Sequence, residues 1–147
     1  MKGLISPPQG ALAAQRRERE HILVVHPDEE LREELRVQLK SAGYDVTVAE
    51  DAVVAGHRVV EHAPDLIVAA ADMPYMDGIE FAAALRGDET LPEIPVILVC
   101  APPAGANVTR LQLPLLTTPV LRDQLLAAVA QGLELRARAG QSSPPRS

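Results

Sequence analysis

The 147-residue chain has almost no aromatic side chains: no Trp, one Phe and two Tyr, 2% in all, although 47% of it is hydrophobic. A core must therefore be built from Leu, Val, Ile and Ala. Few platforms remain on which bases could stack, which argues against single-strand nucleic-acid binding. Cationic charge is also scarce. The only lysines are Lys2 and Lys40, the net charge is −6, and the one basic cluster, Arg16, Arg17 and Arg19, is interleaved with Glu18 and Glu20. Such a surface repels a phosphate backbone, so nucleic acid is not an expected partner. A single cysteine, Cys100, cannot close an internal disulfide, which fits a reducing cytoplasm. No apolar stretch reaches the ~20 residues that span a bilayer. Met1 to Ala14 is broken by Pro7, Pro8 and Gly10, where a secretory signal would have its apolar centre. The expectation is a cytoplasmic protein with no membrane partner.

What the chain does have is alternation of short β-like runs with longer helical patterns, the mark of an α/β fold with a parallel sheet. The runs are His21 to Val25, Asp45 to Ala49, Leu66 to Ala70, Pro95 to Val99 and Leu115 to Thr117. The first is continuously apolar, as a strand covered on both faces should be. A helix is predicted from about Pro27, with Asp28, Glu29 and Glu30 at its positive end, Leu31, Leu35 and Leu39 on one face and Gly43 as its stop. Asp51 reads as the N-cap of the next helix, which carries Gly56 and ends before Pro64. The third helix should turn Ile79, Ala82 and Leu85 inward. The last begins near Pro119 and should bury Leu121, Leu125, Val129 and Leu133, with Leu126 and Ala130 beside them. Between Ala101 and Pro114 the pattern allows at most a short or irregular fourth helix. Residues 1–20 read as a flexible N-terminal arm, 21–138 as one domain and 139–147 as a disordered tail, with no output domain expected after 138.

Five pieces in order, HILVV, SAGYDVTVAEDA, APDLIVAAADMPYMDGIEF, LPEIPVILV and LTTPV, resemble the receiver domain of bacterial response regulators. The most specific is Pro64-Asp65-Leu66 followed by Met73-Pro74-Tyr75-Met76-Asp77-Gly78. The resemblance implies a CheY-like, flavodoxin-like fold: a doubly wound, five-stranded parallel sheet in the order 2-1-3-4-5. It also implies a chemistry. In that family a carboxylate ending strand three attacks a phosphoryl group, and an acidic pair after strand one holds Mg²⁺. A hydroxyl after strand four and a Lys after strand five contact the phosphoryl oxygens.

Laid on those positions without a gap, this chain has Ala70 where the nucleophile belongs, His26 and Pro27 for the acidic pair, Cys100 for the hydroxyl and Thr118 for the lysine. All five positions of the phosphorylation pocket are substituted. The resemblance thus implies a degenerate pseudo-receiver, not an enzyme, with no catalytic residue, no metal and no cofactor.

Alternatives attach to individual residues. Asp72, two residues past the nucleophile position, could be a displaced phosphoacceptor, with Arg110 or Arg122 in place of the lysine; the blander reading is a loop residue solvating the strand end. His26, Asp72 and Cys100 are metal-ligating types that approach one sheet edge, although their separation makes this a weak signal against a residual polar pocket with Cys100 packed as a small buried residue. His57 and His62 read as surface residues. A small-ligand binder at the carboxyl ends of the strands is a third class, weakened by the lack of a Gly-rich loop after strand one.

The leading expectation is a protein-interaction module in two-component or phosphorelay signalling, with a histidine kinase, an output protein or a second copy in a homodimer as partner. Leu111, Leu113 and Val120 are the candidate exposed apolar contacts, their alternative being ordinary packing under a short loop.

Overall fold

A computed structural model describes residues 20–101 and 113–142, the side chains of 138–142 excepted. Five strands, β1 (His21–Val25), β2 (Asp45–Ala49), β3 (Leu66–Ala70), β4 (Val96–Cys100) and β5 (Leu115–Thr117), form one sheet in the order β2-β1-β3-β4-β5. Every pairing is parallel. Among the described residues four helices surround it: α1 (Glu29–Ser41), α2 (Ala52–Glu61), α3 (Gly78–Arg86) and α4 (Arg122–Ser142). The expected fold and strand order are both present.

Because successive strand residues point to opposite faces, the three central strands feed two cores at once. Ile22, Val24, Leu66, Val68, Ile97 and Val99 face one way and meet Leu35 and Leu39 of α1 and Leu125, Val129 and Leu133 of α4. Leu23, Val25, Ile67, Ala69, Val96 and Leu98 face the other and meet Ala52, Ala55 and Val59 of α2 and Phe81 and Ala82 of α3. Each fully buried Leu, Ile or Val contributes roughly 1.5–3 kcal/mol.

Local chemistry sets the helix ends. Asp28 accepts from the Glu30 and Leu31 amides and so is the N-cap of α1; Pro27 therefore lies outside the helix and not in its first turn. Gly43, with φ 104°, follows the end of α1 as expected. Asp51 caps α2 by accepting from the Val54 amide. Asp77 and Glu80 close a capping box on α3, each side chain accepting from the other's amide (2.8 and 3.0 Å).

Four expectations need correction. Strand β4 is shifted by one residue: Pro95 is outside it and Cys100 inside, because Cys100 pairs with Thr117. Leu121 is 56% exposed. It precedes the first helical residue, and a spacing of four drifts round a helix of 3.6 residues per turn. Phe81 takes a larger share of the α3 core than Ile79 or Leu85, which are only partly buried. Helix α4 runs on to Ser142, past the expected boundary at 138.

Candidate functional site

The carboxyl ends of the parallel strands bring His26, Pro27, Ala70, Cys100 and Thr118 to one edge of the sheet, as consecutive strands in this order must. Ala70 is the last residue of β3 and is 3% exposed. Its carbonyl lies directly under the first residue of α3: a Cβ added at Gly78 would strike it. The Gly78 amide donates to the Ala71 carbonyl at 2.9 Å, and the Ala71 amide to Val99 at 2.8 Å. The end of β3 is therefore occupied by closely packed backbone and methyl groups.

His26 continues past β1, its amide donating to the Ala49 carbonyl (3.1 Å) and its own carbonyl accepting from Arg32 Nη1 (2.7 Å). Its Nδ1 accepts from the Asp28 amide at 3.0 Å, which places the ring proton of the neutral form on Nε2. Burial is the main influence holding its pKa below 6.5; Arg32 adds to that and Asp28 opposes it. Cys100 is half-buried, not buried as expected, and its Sγ approaches the Ala101 carbonyl at 3.4 Å. The Thr118 amide donates to the Cys100 carbonyl (3.0 Å), and the Thr118–Pro119 peptide is cis.

Asp72 is exposed, in the loop between β3 and α3. In that loop Met73 and Met76 pack against the second core, while Tyr75 has φ 74° and is 82% exposed between the hydrogen-bonded Pro74 carbonyl and Met76 amide. His26, Asp72 and Cys100 are not gathered into a metal-ligand set among the described residues. Arg122 Nη1 donates to Ser41 Oγ at 2.7 Å, and Arg110 lies outside the described residues.

Of the candidate apolar contacts, Leu111 also lies outside the described residues. Leu113 is half-buried and packs against the second core. Val120 is corrected: at 5% exposure it belongs to the core with Leu125 and Val129, because the turn from β5 into α4 folds it beneath the helix. His57 and His62 are exposed, although His62 also lies against His21, the two rings tilted by 43° with centroids 4.8 Å apart.

The comparisons with known proteins agree with this architecture. Residues 22–111 match the family model described as the response regulator receiver domain. The chain belongs to that family. Over 80 residues it is 38% identical to the phosphate regulon transcriptional regulatory protein PhoB of Pseudomonas aeruginosa, covering 54% of this chain and 35% of that protein. Over 80 residues it is 39% identical to the response regulator MprA of Mycobacterium tuberculosis, covering 54% and 34%. The chain thus spans about a third of the length of these relatives. Among solved structures, the signal receiver domain of an HD domain-containing protein from Pseudomonas fluorescens Pf-5 superposes with a TM-score of 0.74 at 26% identity, covering 82% of this chain and 98% of that one. The chemotaxis response regulator CheY4 of Vibrio cholerae gives 0.69 at 22% identity, over 77% and 98%, which supports the fold alone.

Among the described residues, the side chains at the ends of β1 and β3 are a poor fit to the donors that the family's Mg²⁺ requires. A hard cation of that size takes oxygen ligands in near-octahedral array. At the corresponding positions His26 presents a nitrogen already engaged by the Asp28 amide, Pro27 has no side-chain donor and Ala70 ends in a methyl.

Sequence reasoning missed a second polar cluster, at the opposite edge of the sheet. Asp65 accepts from the His21 amide (2.8 Å) and from Arg136 Nη1 (2.9 Å), while Arg136 Nε reaches the Glu93 carbonyl (3.3 Å). His21 Nε2 lies 2.6 Å from Thr47 Oγ1, and its Nδ1 is buried without a hydrogen-bond partner. Burial, then His62, lower the His21 pKa from 6.5, against the opposing pull of Asp65 and Asp45. The members are scattered from 21 to 136, so no local spacing announces them. Among the described residues, no helix is long and apolar enough to cross a membrane.

Proposed function

We propose that this receiver domain is a pseudo-receiver, which accepts no phosphoryl group and acts in two-component or phosphorelay signalling by binding protein partners. The observation that carries the reading is Ala70: the position of the family's nucleophile holds a methyl group, closed over by the first turn of α3. The other four substitutions act in the same direction. A phosphoryl group attached here would meet neither an acidic pair with its cation nor a fixed ammonium group, the two features that offset its charge in the family.

Loss of the acids also has a stability rationale. Carboxylates clustered at a metal site repel when the metal is absent. His26, Pro27 and Ala70 relieve that repulsion, so the domain is expected to fold without Mg²⁺ and to show no Mg²⁺-dependent rise in Tm. A cytoplasmic location follows from this reading, as does a partner such as a histidine kinase, an output protein or a second copy.

The test is incubation of the full chain with acetyl phosphate and Mg²⁺, followed by intact-mass measurement. An unchanged mass is expected. The reading is overturned if a phosphoryl group is added to the protein and is lost in Asp72→Ala, since the acceptor would then be displaced and not absent.

A further inference from the structure

We infer that the amino-terminal arm, residues 1–19, docks in cis into a groove at the amino-end edge of the sheet, opposite the phosphorylation-pocket edge. The groove has a volume of about 1060 Å³ and lies between the end of α3, the segment leading into β4 and the last turns of α4. Leu85, Leu91, Leu133 and Leu135 supply apolar lining. Leu135 is 55% exposed, a large side chain with its apolar surface left in solvent. The volume slightly exceeds the roughly 300–1,000 Å³ of small-molecule pockets, which suits a peptide segment better than a compact ligand.

Three features select this occupant. Glu20 is itself part of the groove lining, so residues 1–19 are tethered at the groove. A segment tethered there has an effective concentration on the order of millimolar, and no second molecule need be recruited. Charge is complementary. The lining carries the acids Asp88, Glu89 and Glu93 against two arginines, Arg86 and Arg136, and Arg136 is already committed to Asp65. Residues 1–19 carry Lys2, Arg16, Arg17 and Arg19 against the single carboxylate Glu18. The arm also brings apolar side chains, Leu4, Ile5 and Leu12, to set against the leucines of the groove. Arg16, Arg17 and Arg19 stand next to the tether and so reach the acidic rim first, while Leu12 lies ~25 Å of extended chain from Glu20, enough to reach along the groove.

The experiment uses the full chain with Cys100→Ser and Leu12→Cys, a nitroxide spin label on the new thiol, and nitrogen-15 labelling for amide NMR. Docking in cis predicts loss of amide signal intensity at Leu91, Leu133 and Leu135, and recovery of that intensity on reduction of the nitroxide. Changing Arg16, Arg17 and Arg19 together to Glu should restore the signals, as should 1 M salt, where the Debye length falls to about 3 Å. Thermal unfolding of the parent and the arginine variant, measured side by side, separates a loss of docking from a loss of folding. Signal loss spread elsewhere, or none, overturns the inference. So does loss seen only when spin-labelled, unenriched protein is mixed with unlabelled, nitrogen-15 protein, because the arm would then occupy the groove of a second copy.

Discussion

The two edges of this one sheet have been built from opposite materials. At the carboxyl ends of the strands, where the family carries its chemistry, Ala70 and Gly78 press backbone against backbone, and the main side-chain hydrogen bonds serve a local turn and helix cap at His26 and Asp28. At the amino ends, His21, Thr47, Asp65 and Arg136 tie β1, β2, the start of β3 and α4 together through side chains. On the pseudo-receiver reading proposed above, packing at one edge and a cross-linked polar network at the other would serve a stable shape and not a reaction. Substitutions at the two edges should therefore fail in different ways.

The largest effect is expected at the chemical edge. Ala70→Asp puts back the family's carboxylate at a position 3% exposed, in a chain with no lysine beyond Lys40 to pair with it. An unpaired buried charge of this kind costs about 3 kcal/mol or more. Urea unfolding at pH 7 should show the loss, and the variant should still take no phosphoryl group from acetyl phosphate. Unaltered stability would mean that the edge retains the solvation of an active pocket. Gly78→Ala belongs with it: the new Cβ meets the Ala70 carbonyl and Leu98 Cδ2 (2.9 Å), and backbone cannot yield cheaply, so a loss of about 1–3 kcal/mol is expected.

At the amino edge the leading effect is electrostatic. Asp65→Ala removes the acceptor of both the His21 amide and Arg136, each a charge-assisted bond, but Asp65 and Arg136 are about one-third exposed (32% and 33%). Discounting for that solvent, a loss of about 2 kcal/mol is expected, with part of it removed by high salt. Gly132→Ala is the counterpart of Gly78→Ala. Its Cβ would meet Leu66 Cδ1 at 2.7 Å, the far end of a side chain, and Pro95 Cβ at an ordinary 3.9 Å, and Ala gains about 1 kcal/mol over Gly inside a helix. The two terms oppose each other, so the change in Cm should be small. A Gly132→Ala variant as damaged as Gly78→Ala would show that both edges are equally rigid and erase the contrast.

The difference between the edges also explains what could be read from the sequence. Strands β1 and β3 are legible to the residue because buried parallel strands are continuous apolar runs bounded by turns, while β2 and β5, partly exposed at the sheet edges, are legible from their β-branched or apolar residues between turns. The expected pocket positions fall at a strand's last residue (Ala70, Cys100) or within two residues beyond it (His26, Pro27, Thr118), so finding a strand brings its position within reach. Strand β4 slipped by one because its end is fixed by Cys100 pairing with Thr117, a contact between segments that Pro95 and Ala101 do not foreshadow. Val120 was misplaced for a similar reason: its burial is decided by how α4 folds back on the sheet, not by its neighbours in sequence. The amino-edge network was invisible, since its residues share no spacing and become neighbours only when five segments are brought together.

Acid is the gentlest probe, and it separates the two edges through their histidines. Both His21 and His26 have pKa values held below 6.5, chiefly by burial. As pH falls, the unfolded chain therefore takes up the proton first. Stability attached to the neutral rings is complete above about pH 6.5 and is lost progressively below it. The structural cost differs. Protonating His21 puts an N–H on Nδ1, which is buried with no acceptor, and places a cation against His62. Protonating His26 at Nδ1 breaks one bond from the Asp28 amide, in a turn open to water. Urea titrations between pH 7.5 and 5.5 should therefore lose more of their pH slope in His21→Asn than in His26→Asn. The reverse ranking would place the stricter polar constraint at the chemical edge, against the contrast drawn here.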